Sequence, residues 1–253
     1  MQTWNQALVI GASSGIGKAL AEQLLRQGVS VAMVARRKEP MEELRIKNEG
    51  LRVKNASHGN ALVYQHDVTH YDEVPALFQQ ITHDLGGLDL VIYSSGVMPS
   101  VEEHEYSFAK DREMIEVNVL GAFAWLGVAA KRFEQTKSGT IVGISSVAGD
   151  RGRRGNPAYC TSKAALTTFL ESLRNRLSRY GISVVTIKPG FIDTEMTHGK
   201  PGLFWLISAD EAAKQILHAA RTGKTIAYIP ARWRIVSIIL QCIPSFIFKH
   251  LPV

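Results

Sequence analysis

The sequence has 253 residues, 45% of them hydrophobic and 21% charged, and its formal net charge is +6. This length and composition are typical of a globular α/β domain with a large core. The basic excess suits a phosphate-bearing ligand or an anionic surface. No basic run interleaved with aromatic residues indicates a nucleic acid partner.

The two cysteines and the first residues bear on where the protein works. Cys160 and Cys242 have neither a CxxC nor a metal-ligand spacing, which fits a reducing cytoplasm and indicates no metal site. The start of the chain, MQTWNQALVIGASSG, has no basic segment followed by an apolar one, and no run of 18 apolar residues occurs. The sequence therefore predicts a cytoplasmic protein without a signal peptide or a spanning helix.

Short apolar runs alternate with amphipathic stretches along the chain. Strands are predicted at residues 6–10, 29–35, 61–68, 88–96, 139–146, 182–190 and 225–230. Helices are predicted at residues 18–28, 71–84, 108–134, 157–180 and 208–221. Ser208 and Glu211 form a capping box at the start of the last helix. The alternation predicts an α/β fold, a doubly wound, Rossmann-like parallel sheet with helices on both faces.

No repeat or linker divides this pattern. Residues 1–230 are therefore predicted to form one dinucleotide-binding and catalytic domain, and residues 231–253 an apolar C-terminal tail. The tail either belongs to the same domain or anchors the protein at a membrane interface.

A glycine-rich turn, VIGASSGIGKAL, joins the first strand to the first helix. Small residues let the backbone turn sharply and approach a pyrophosphate, and a helix N-terminus offers free N–H groups. The turn therefore predicts nucleotide binding, with a purely structural turn as the alternative. The residues concerned are Gly11, Ser13, Ser14, Gly15, Ile16 and Gly17.

The end of the second strand, VARRKE, indicates which dinucleotide binds. NAD sites usually place an acidic residue here to bind the ribose 2′-hydroxyl. Arg36 and Arg37 would instead hold a 2′-phosphate through charge-assisted hydrogen bonds. The sequence predicts NADP(H) rather than NAD(H), and a solvated basic turn is the alternative.

A tyrosine and a lysine share one face of a predicted helix. Tyr159 and Lys163 are spaced i, i+4. An ammonium group near a tyrosine lowers its pKa from about 10, which would make Tyr159 a general acid/base. Ser146 follows a predicted strand, at the sheet edge where open α/β folds bind ligands. Asn118 lies inside a predicted helix, where asparagine is a poor helix former.

Together these residues resemble the classical short-chain dehydrogenase/reductase family over nearly the whole chain. Asn118, Ser146, Tyr159 and Lys163 match the order and spacing of its catalytic tetrad. The stretch HDVT resembles its adenine-contacting step and implies cofactor contacts at Asp67 and Val68. The stretch PGFIDTEM resembles its nicotinamide-side motif. The cofactor-binding residues implied there are Pro189, Gly190, Ile192 and Thr194.

One motif departs from the family pattern. The family has Asn-Asn-Ala-Gly after the fourth strand, where this chain has YSSG at residues 93–96. Gly96 is kept and is expected to approach the cofactor, while Tyr93 and Ser94 replace the asparagines.

The resemblance implies hydride transfer between a nicotinamide and a substrate carbon. Tyr159 would give a proton to the carbonyl oxygen, and Ser146 would hydrogen-bond that oxygen. Lys163 would lower the pKa of Tyr159 and hold the nicotinamide ribose, and Asn118 would keep a water in a proton relay. The three residues Asn118, Tyr159 and Lys163 would thus also contact the cofactor. The family also commonly forms dimers or tetramers through the helices predicted at 108–134 and 157–180.

Two apolar segments bear on the substrate, a small-molecule or lipid-like carbonyl compound. Residues 200–208, KPGLFWLIS, occupy the position of the family's mobile lid, or else pack in the core. In the tail, Arg234, Ser237 and Gln241 form a narrow polar stripe on an otherwise apolar helix that ends at Pro244. With its basic flanks the tail resembles a peripheral anchor on the inner face of a membrane. The alternative is an arm buried between subunits or under the lid.

The loop, lid and tail also resemble one branch of the family, the reductase subunit of decaprenylphosphoryl-ribose 2′-epimerase. That branch reduces a keto-sugar on a polyprenyl phosphate, which would give Arg151, Arg153 and Arg154 a phosphate or an anionic membrane surface to hold. A solvated loop or ion pairs between subunits are the alternatives. Long-chain keto-lipids, a small soluble ketone, a steroid-like alcohol and a non-catalytic NADP(H)-binding scaffold remain open.

Overall fold

The computed structural model describes residues 2–54, 58–199 and 202–251. Residues 200–201 of the predicted lid and 252–253 of the predicted tail lie outside the described residues.

Seven of the described strands pair in parallel to form one sheet, in the order β3-β2-β1-β4-β5-β6-β9. Two short strands, β7 and β8, pair separately. The strands are β1 (Gln6–Ile10), β2 (Ser30–Ala35), β3 (Ala61–Gln65), β4 (Leu90–Tyr93), β5 (Thr140–Ile144), β6 (Ser183–Pro189), β7 (Ile192–Asp193), β8 (Ile207–Ser208) and β9 (Ile226–Ile229). The sheet confirms the predicted doubly wound fold.

Helices connect the strands and cover both faces of the sheet. They are α1 (Gly15–Arg26), α2 (Glu39–Lys54), α3 (Val74–Asp84), α4 (Phe108–Ile115), α5 (Gly121–Thr136), α6 (Pro157–Leu177), α7 (Ala209–Arg221), α8 (Trp233–Cys242) and α9 (Ser245–Phe248). Sequence analysis missed α2, because this charged helix buries few apolar residues, among them Met41 and Leu44.

Alternate residues of the strands point to opposite faces of the sheet and pack in two hydrophobic cores. Ala7 and Val9 of β1 face one core with α1, α2 and α7, while Leu8 and Ile10 face the other with α3, α5 and α6. Within the described ranges, one helical stretch, Phe108–Thr136, is long and apolar enough to cross a membrane. More than half of its most apolar window is buried, as in the core helix of a globular fold.

The strand order reverses between β1 and β4, which opens a crevice at the carboxyl ends of these strands. Several predicted strands extend past the observed ones at this edge. The observed β3 and β5 end at Gln65 and Ile144, whereas the predicted strands ran to residues 68 and 146. The residues beyond each strand therefore form the turns at the crevice.

The tail packs against the body instead of extending from it. Trp233, in the first turn of α8, is buried and meets Phe191 edge to face, with ring centroids 5.2 Å apart. Gly190 provides the room, because a Cβ atom at this position would collide with the Trp233 ring. Position 190 therefore has to be glycine if α8 is to stay in place.

We expect Gly190→Ala to destabilise the protein by about 1–3 kcal/mol, the usual cost of overpacking a close contact. The displaced ring should also loosen α8, which limited proteolysis after residue 230 would detect. Gly152→Ala is the matched control, because a Cβ atom there meets nothing within 4 Å. Equal stability of the two variants would contradict the assignment.

Candidate active site

The glycine turn lies at the crevice, between β1 and α1. Gly11 has a left-handed φ of 89°, and a Cβ atom there would lie 2.5 Å from the Ser95 nitrogen. A Cβ atom on Gly17 would collide with the Gly11 carbonyl oxygen. Helix α1 therefore starts unusually close to the strand, in a cradle that side chains would fill.

The start of α1 is open to a ligand. Ser14 is the N-cap residue, with an extended backbone, and its side chain makes no capping bond to any described residue. Ser13 precedes it in the turn, and Ile16 lies partly exposed in the first turn of the helix. The first N–H groups of α1, with the positive end of the helix dipole, suit an anion such as a pyrophosphate.

The ends of β2 and β3 carry the predicted adenosine-side residues. Arg36 lies 3.9 Å from the Asp67 carboxylate. Burial alone would raise the pKa of Asp67. Two opposing effects are larger in sum, the hydrogen bonds donated by the Thr69 N–H and hydroxyl and the charge of Arg36, so the pKa of Asp67 is lowered. Val68 is buried against Gly121.

Arg37 reaches across the crevice to the opposite loop. Its guanidinium forms a forked pair with Glu195, with Nη2–Oε2 and Nη1–Oε1 distances of 2.9 and 3.4 Å. On the same side, a Cβ atom on Gly15 would lie 3.1 Å from Thr194 Cγ2. The loop after β7 therefore closes over the glycine turn, and Arg37 is already engaged by a carboxylate.

Three of the predicted catalytic residues meet at the end of β5. Ser146 follows the strand, and its hydroxyl group lies close enough to the Tyr159 phenol to lower the pKa of that phenol. Asn156 caps α6 by accepting a bond from the Tyr159 N–H at 3.0 Å. Lys163 Nζ lies 5.7 Å from the centre of the Tyr159 ring and donates to the Ile144 carbonyl at 3.1 Å. A carbonyl oxygen near Ser146 and Tyr159 would meet two hydroxyl groups.

The protonation of the pair differs from the expectation. Burial raises the pKa of Tyr159 to about 12, although the nearby Ser146 hydroxyl acts in the opposite direction. Burial lowers the pKa of Lys163 to about 8. The predicted lowering of the Tyr159 pKa by Lys163 is therefore not observed, because desolvation dominates both groups. A neutral phenol at neutral pH is a proton donor.

Asn118 owes its position to a break in the helix pattern. It lies in a π-helical turn, Glu116–Leu120, between α4 and α5, and is fully buried. Its side chain accepts from Val97 N at 2.8 Å and donates to Val97 O and Ser162 Oγ, both at 3.0 Å. Asn118 thus fixes the loop after β4 against α6. The water relay stays a prediction.

The departure at residues 93–96 has a structural explanation. Tyr93 is fully buried and its hydroxyl donates to the Val117 carbonyl at 2.6 Å, while Ser94 N donates to Ile10 O at 2.8 Å. A Cβ atom on Gly96 would lie 3.3 Å from both Asn118 Oδ1 and Lys163 Nζ. The backbone path at the crevice is therefore kept without the asparagines.

The nicotinamide-side residues follow β6 at the same edge. Pro189 ends the strand, and Gly190 N donates to the Ile229 carbonyl at 2.9 Å. Ile192 is buried in β7, and Thr194 N donates to Thr197 Oγ1 at 3.1 Å. The loop that they begin reaches the glycine turn at Thr194.

The three arginines of the 150s loop contact protein groups. Arg151 donates to the Leu240 carbonyl and, at 2.5 Å, to the Ile243 carbonyl, and it lies 3.8 Å from the centre of the Phe248 ring. Arg153 donates to the Val147 carbonyl. Arg154 donates to the Glu103 carboxylate and to the Leu251 carbonyl. Arg151 and Arg154 hold the tail and Arg153 holds its own loop, so the structure does not support the phosphate-binding interpretation.

Sequence analysis missed two residues beside the site. The side chain of Asp150 is enclosed and accepts from Lys188, Tyr228 and Ser237, with the Tyr228 bond at 3.1 Å. Glu195 lies inside a recognised motif but was given no partner. No local pattern marks either residue, because each contact joins segments far apart in the chain.

Similarity to known proteins bears on the whole chain. A family model described as short chain dehydrogenase matches residues 5–201. An uncharacterized oxidoreductase of Myxococcus xanthus is 37% identical over 195 residues, covering 77% of this chain and 75% of that protein. One from Mycobacterium tuberculosis is 30% identical over 231 residues, covering 90% and 89% respectively.

Solved structures share the fold. A short-chain type dehydrogenase/reductase from Mycobacterium marinum has a TM-score of 0.80 at 25% identity, covering 95% of this chain and 96% of that one. A short-chain dehydrogenase from Sphingobium yanoikuyae in complex with NADPH also has a TM-score of 0.80, at 24% identity, covering 97% and 96%.

Buried Lys163 should make the protein more stable at alkaline pH. The folded pKa of about 8 lies below the ordinary 10.5, so between these values the unfolded chain binds more protons and the free energy of unfolding rises with pH. From pH 7.5 to pH 9.5 we expect Lys163 to contribute an increase of about 2 kcal/mol. Denaturant titrations should show it in the wild type and not in Lys163→Met. Parallel pH profiles would contradict the buried lysine.

Proposed function

Because the chain belongs to the short-chain dehydrogenase family, we propose that this oxidoreductase uses NADP(H) to interconvert a ketone and a secondary alcohol. The observation that carries the proposal is the cluster of Ser146, Tyr159 and buried Lys163 at the carboxyl end of β5, with Lys163 Nζ 5.7 Å from the centre of the Tyr159 ring. The family match supports the reaction class.

The residues at the crevice fit a dinucleotide. Gly11 and Gly17 leave a cradle that a Cβ atom would fill, and α1 begins there with a helix dipole that favours phosphate. Arg36 and Arg37, at the end of β2, favour a 2′-phosphate over a free hydroxyl. Structures of other family members bear NADP or NADPH, as their descriptions state.

When bound, NADPH supplies a hydride to the substrate carbon. Tyr159 gives its proton to the carbonyl oxygen as that carbon is reduced, because its raised pKa keeps the phenol protonated. Ser146 donates a hydrogen bond to the same oxygen and orients it. Lys163 holds the nicotinamide ribose, and Asn118 fixes the loop that places Gly96 against both residues.

The substrate is an apolar, lipid-like carbonyl compound. Phe204, Trp205 and Leu206 of the lid are each about half exposed, and the rings of Phe204 and Trp205 pack against Trp233 of the tail. An exposed aromatic wall beside the site suits a long apolar chain better than a small polar ketone. Such a substrate resides in a membrane, so the protein contacts the inner face of a membrane peripherally.

The protein also forms a homo-oligomer through α5 and α6. Phe123 is exposed on α5 and its ring lies 4.2 Å from that of Phe169 on α6. They line an open groove of about 280 Å³ between the two helices. An apolar groove on the outside of two core helices is the kind of surface that a second copy covers.

Tyr159→Phe should lower kcat for ketone reduction at least a hundredfold, because the phenol is the proton donor. NADPH affinity, measured by fluorescence titration, should change less than twofold. Tyr106→Phe is the control, since Tyr106 is exposed. Turnover retained in Tyr159→Phe would remove Tyr159 from this role.

The cofactor preference should respond oppositely to two kinds of change. Arg36→Ala and Arg37→Ala should each lower the NADPH-over-NADH binding preference about tenfold or more, since each removes a charge-assisted bond to phosphate. Glu195→Gln should tighten NADPH binding twofold to fivefold and leave NADH unchanged, because Glu195 competes for Arg37. Arg26→Ala, on the surface of α1, is the control; an unchanged preference in the variants at positions 36 and 37 would refute the assignment.

A further inference from the structure

Helix α8 presents isoleucines to solvent. Ile235, Ile238 and Ile239 are exposed to 66%, 49% and 56%. Ser237, one of the three residues of the predicted polar stripe, is only 2% exposed and faces the protein body. A surface helix ordinarily turns its polar residues outward, so three exposed isoleucines on one helix call for an apolar environment on that side.

Buried polar contacts fix the rotation of this helix. Ser237 donates to Asp150, whose carboxylate also accepts from Lys188 on β6 and Tyr228 on β9. Arg151 holds the carbonyl groups at the other end of α8. Rolling the helix to bury its isoleucines would break bonds to a buried carboxylate, which is strongly unfavourable. The outward apolar face is therefore maintained by the structure.

The apolar surface extends beyond α8 in both directions. Phe246 and Ile247 of α9 are exposed, as are Phe204, Trp205 and Leu206 of the lid. The Phe204 ring stacks on Trp233 with centroids 5.1 Å apart, which joins the lid to the first turn of α8. We call these residues, with Ile235, Ile238 and Ile239, the apolar face. It borders the candidate active site.

The charge around the apolar face selects its partner. Residues 231–253 contain no Asp or Glu, while Arg232, Arg234 and Lys249 flank the isoleucines. A second copy docked by two-fold symmetry would bring the same basic patch against itself. Apolar side chains with basic flanks match the acyl boundary and headgroups of an anionic lipid surface. Helices of 10 and 4 residues lie on such a surface and do not cross it.

We propose that the apolar face docks on an anionic lipid surface, with Asp150 and Arg151 holding α8 in the docking orientation. The proposal rests on the proposed function only for the link between this surface and a lipid-like substrate. Docking itself needs neither cofactor nor turnover.

The test is co-sedimentation of the full-length protein with vesicles of phosphatidylcholine alone or mixed with phosphatidylglycerol. The wild type should bind the anionic vesicles and leave the neutral ones. Ile238→Glu/Ile239→Glu should lose at least tenfold in binding, and Arg234→Gln about fivefold, the contribution of one basic residue near such a surface. Ile46→Glu, an exposed isoleucine on α2, is the matched control and should bind as the wild type does.

NADPH binding and the melting temperature of the double variant should equal those of the wild type, because both isoleucines are exposed. Failure of the wild type to bind anionic vesicles would overturn the proposal. So would a double variant that changes the oligomeric mass in light scattering without changing vesicle binding, since a second copy would then cover this face. Vesicle binding without any ketone turnover would keep the docking surface and reject the proposed reaction. Turnover without vesicle binding would keep the reaction and reject both the docking surface and the membrane contact.

Discussion

Parallel pairing of β1, β4, β5 and β6 brings the carboxyl ends of four strands to one edge, and the candidate site depends on this constraint. Ser94 follows β4, Ser146 follows β5 and Gly190 follows β6. Parallel strands are joined through helices, so each strand end leads into a turn above the crevice. Helices α1 and α6 then present a glycine turn and the Tyr159–Lys163 face from opposite sides of the sheet.

Much of this arrangement could be predicted from the sequence, because it rests on local patterns. The apolar runs located the sheet strands, and the spacing of Tyr159 and Lys163 followed from helix geometry. Strand ends were misplaced by two or three residues at β3, β4 and β5. Small serines follow β4 and β5, and Val68 lies in the turn after β3, so the apolar pattern alone did not mark where each strand stops. The π turn at Asn118 and the charged helix α2 have no apolar periodicity that reveals them.

The long-range polar contacts were beyond sequence reasoning. Asp150 joins β6, β9 and α8 through Lys188, Tyr228 and Ser237, and Arg151 joins the same loop to the end of α8. Each bond spans 38 or more positions. The position of Ser237 could not be inferred from a helical wheel, because the wheel does not contain the carboxylate that draws a hydroxyl inward. The same contacts tie the loop carrying Ser146 to the C-terminal helices.

The two walls of the crevice are held by ion pairs of different kinds. Arg37 and Glu195 are both about half exposed or more, whereas Asp150 and Lys188 are almost fully enclosed. In 0.1 M salt, dissolved ions screen charges at the protein surface with a Debye length of about 10 Å, so added salt weakens the Arg37–Glu195 pair. The enclosed Asp150–Lys188 pair is screened much less. Ionic strength therefore acts on the two sides of the crevice unequally. Added salt therefore loosens the loop over the glycine turn, while the wall beside Ser146 keeps its shape. The rate at which a dinucleotide dissociates should depend on salt concentration, and the geometry around Tyr159 should not.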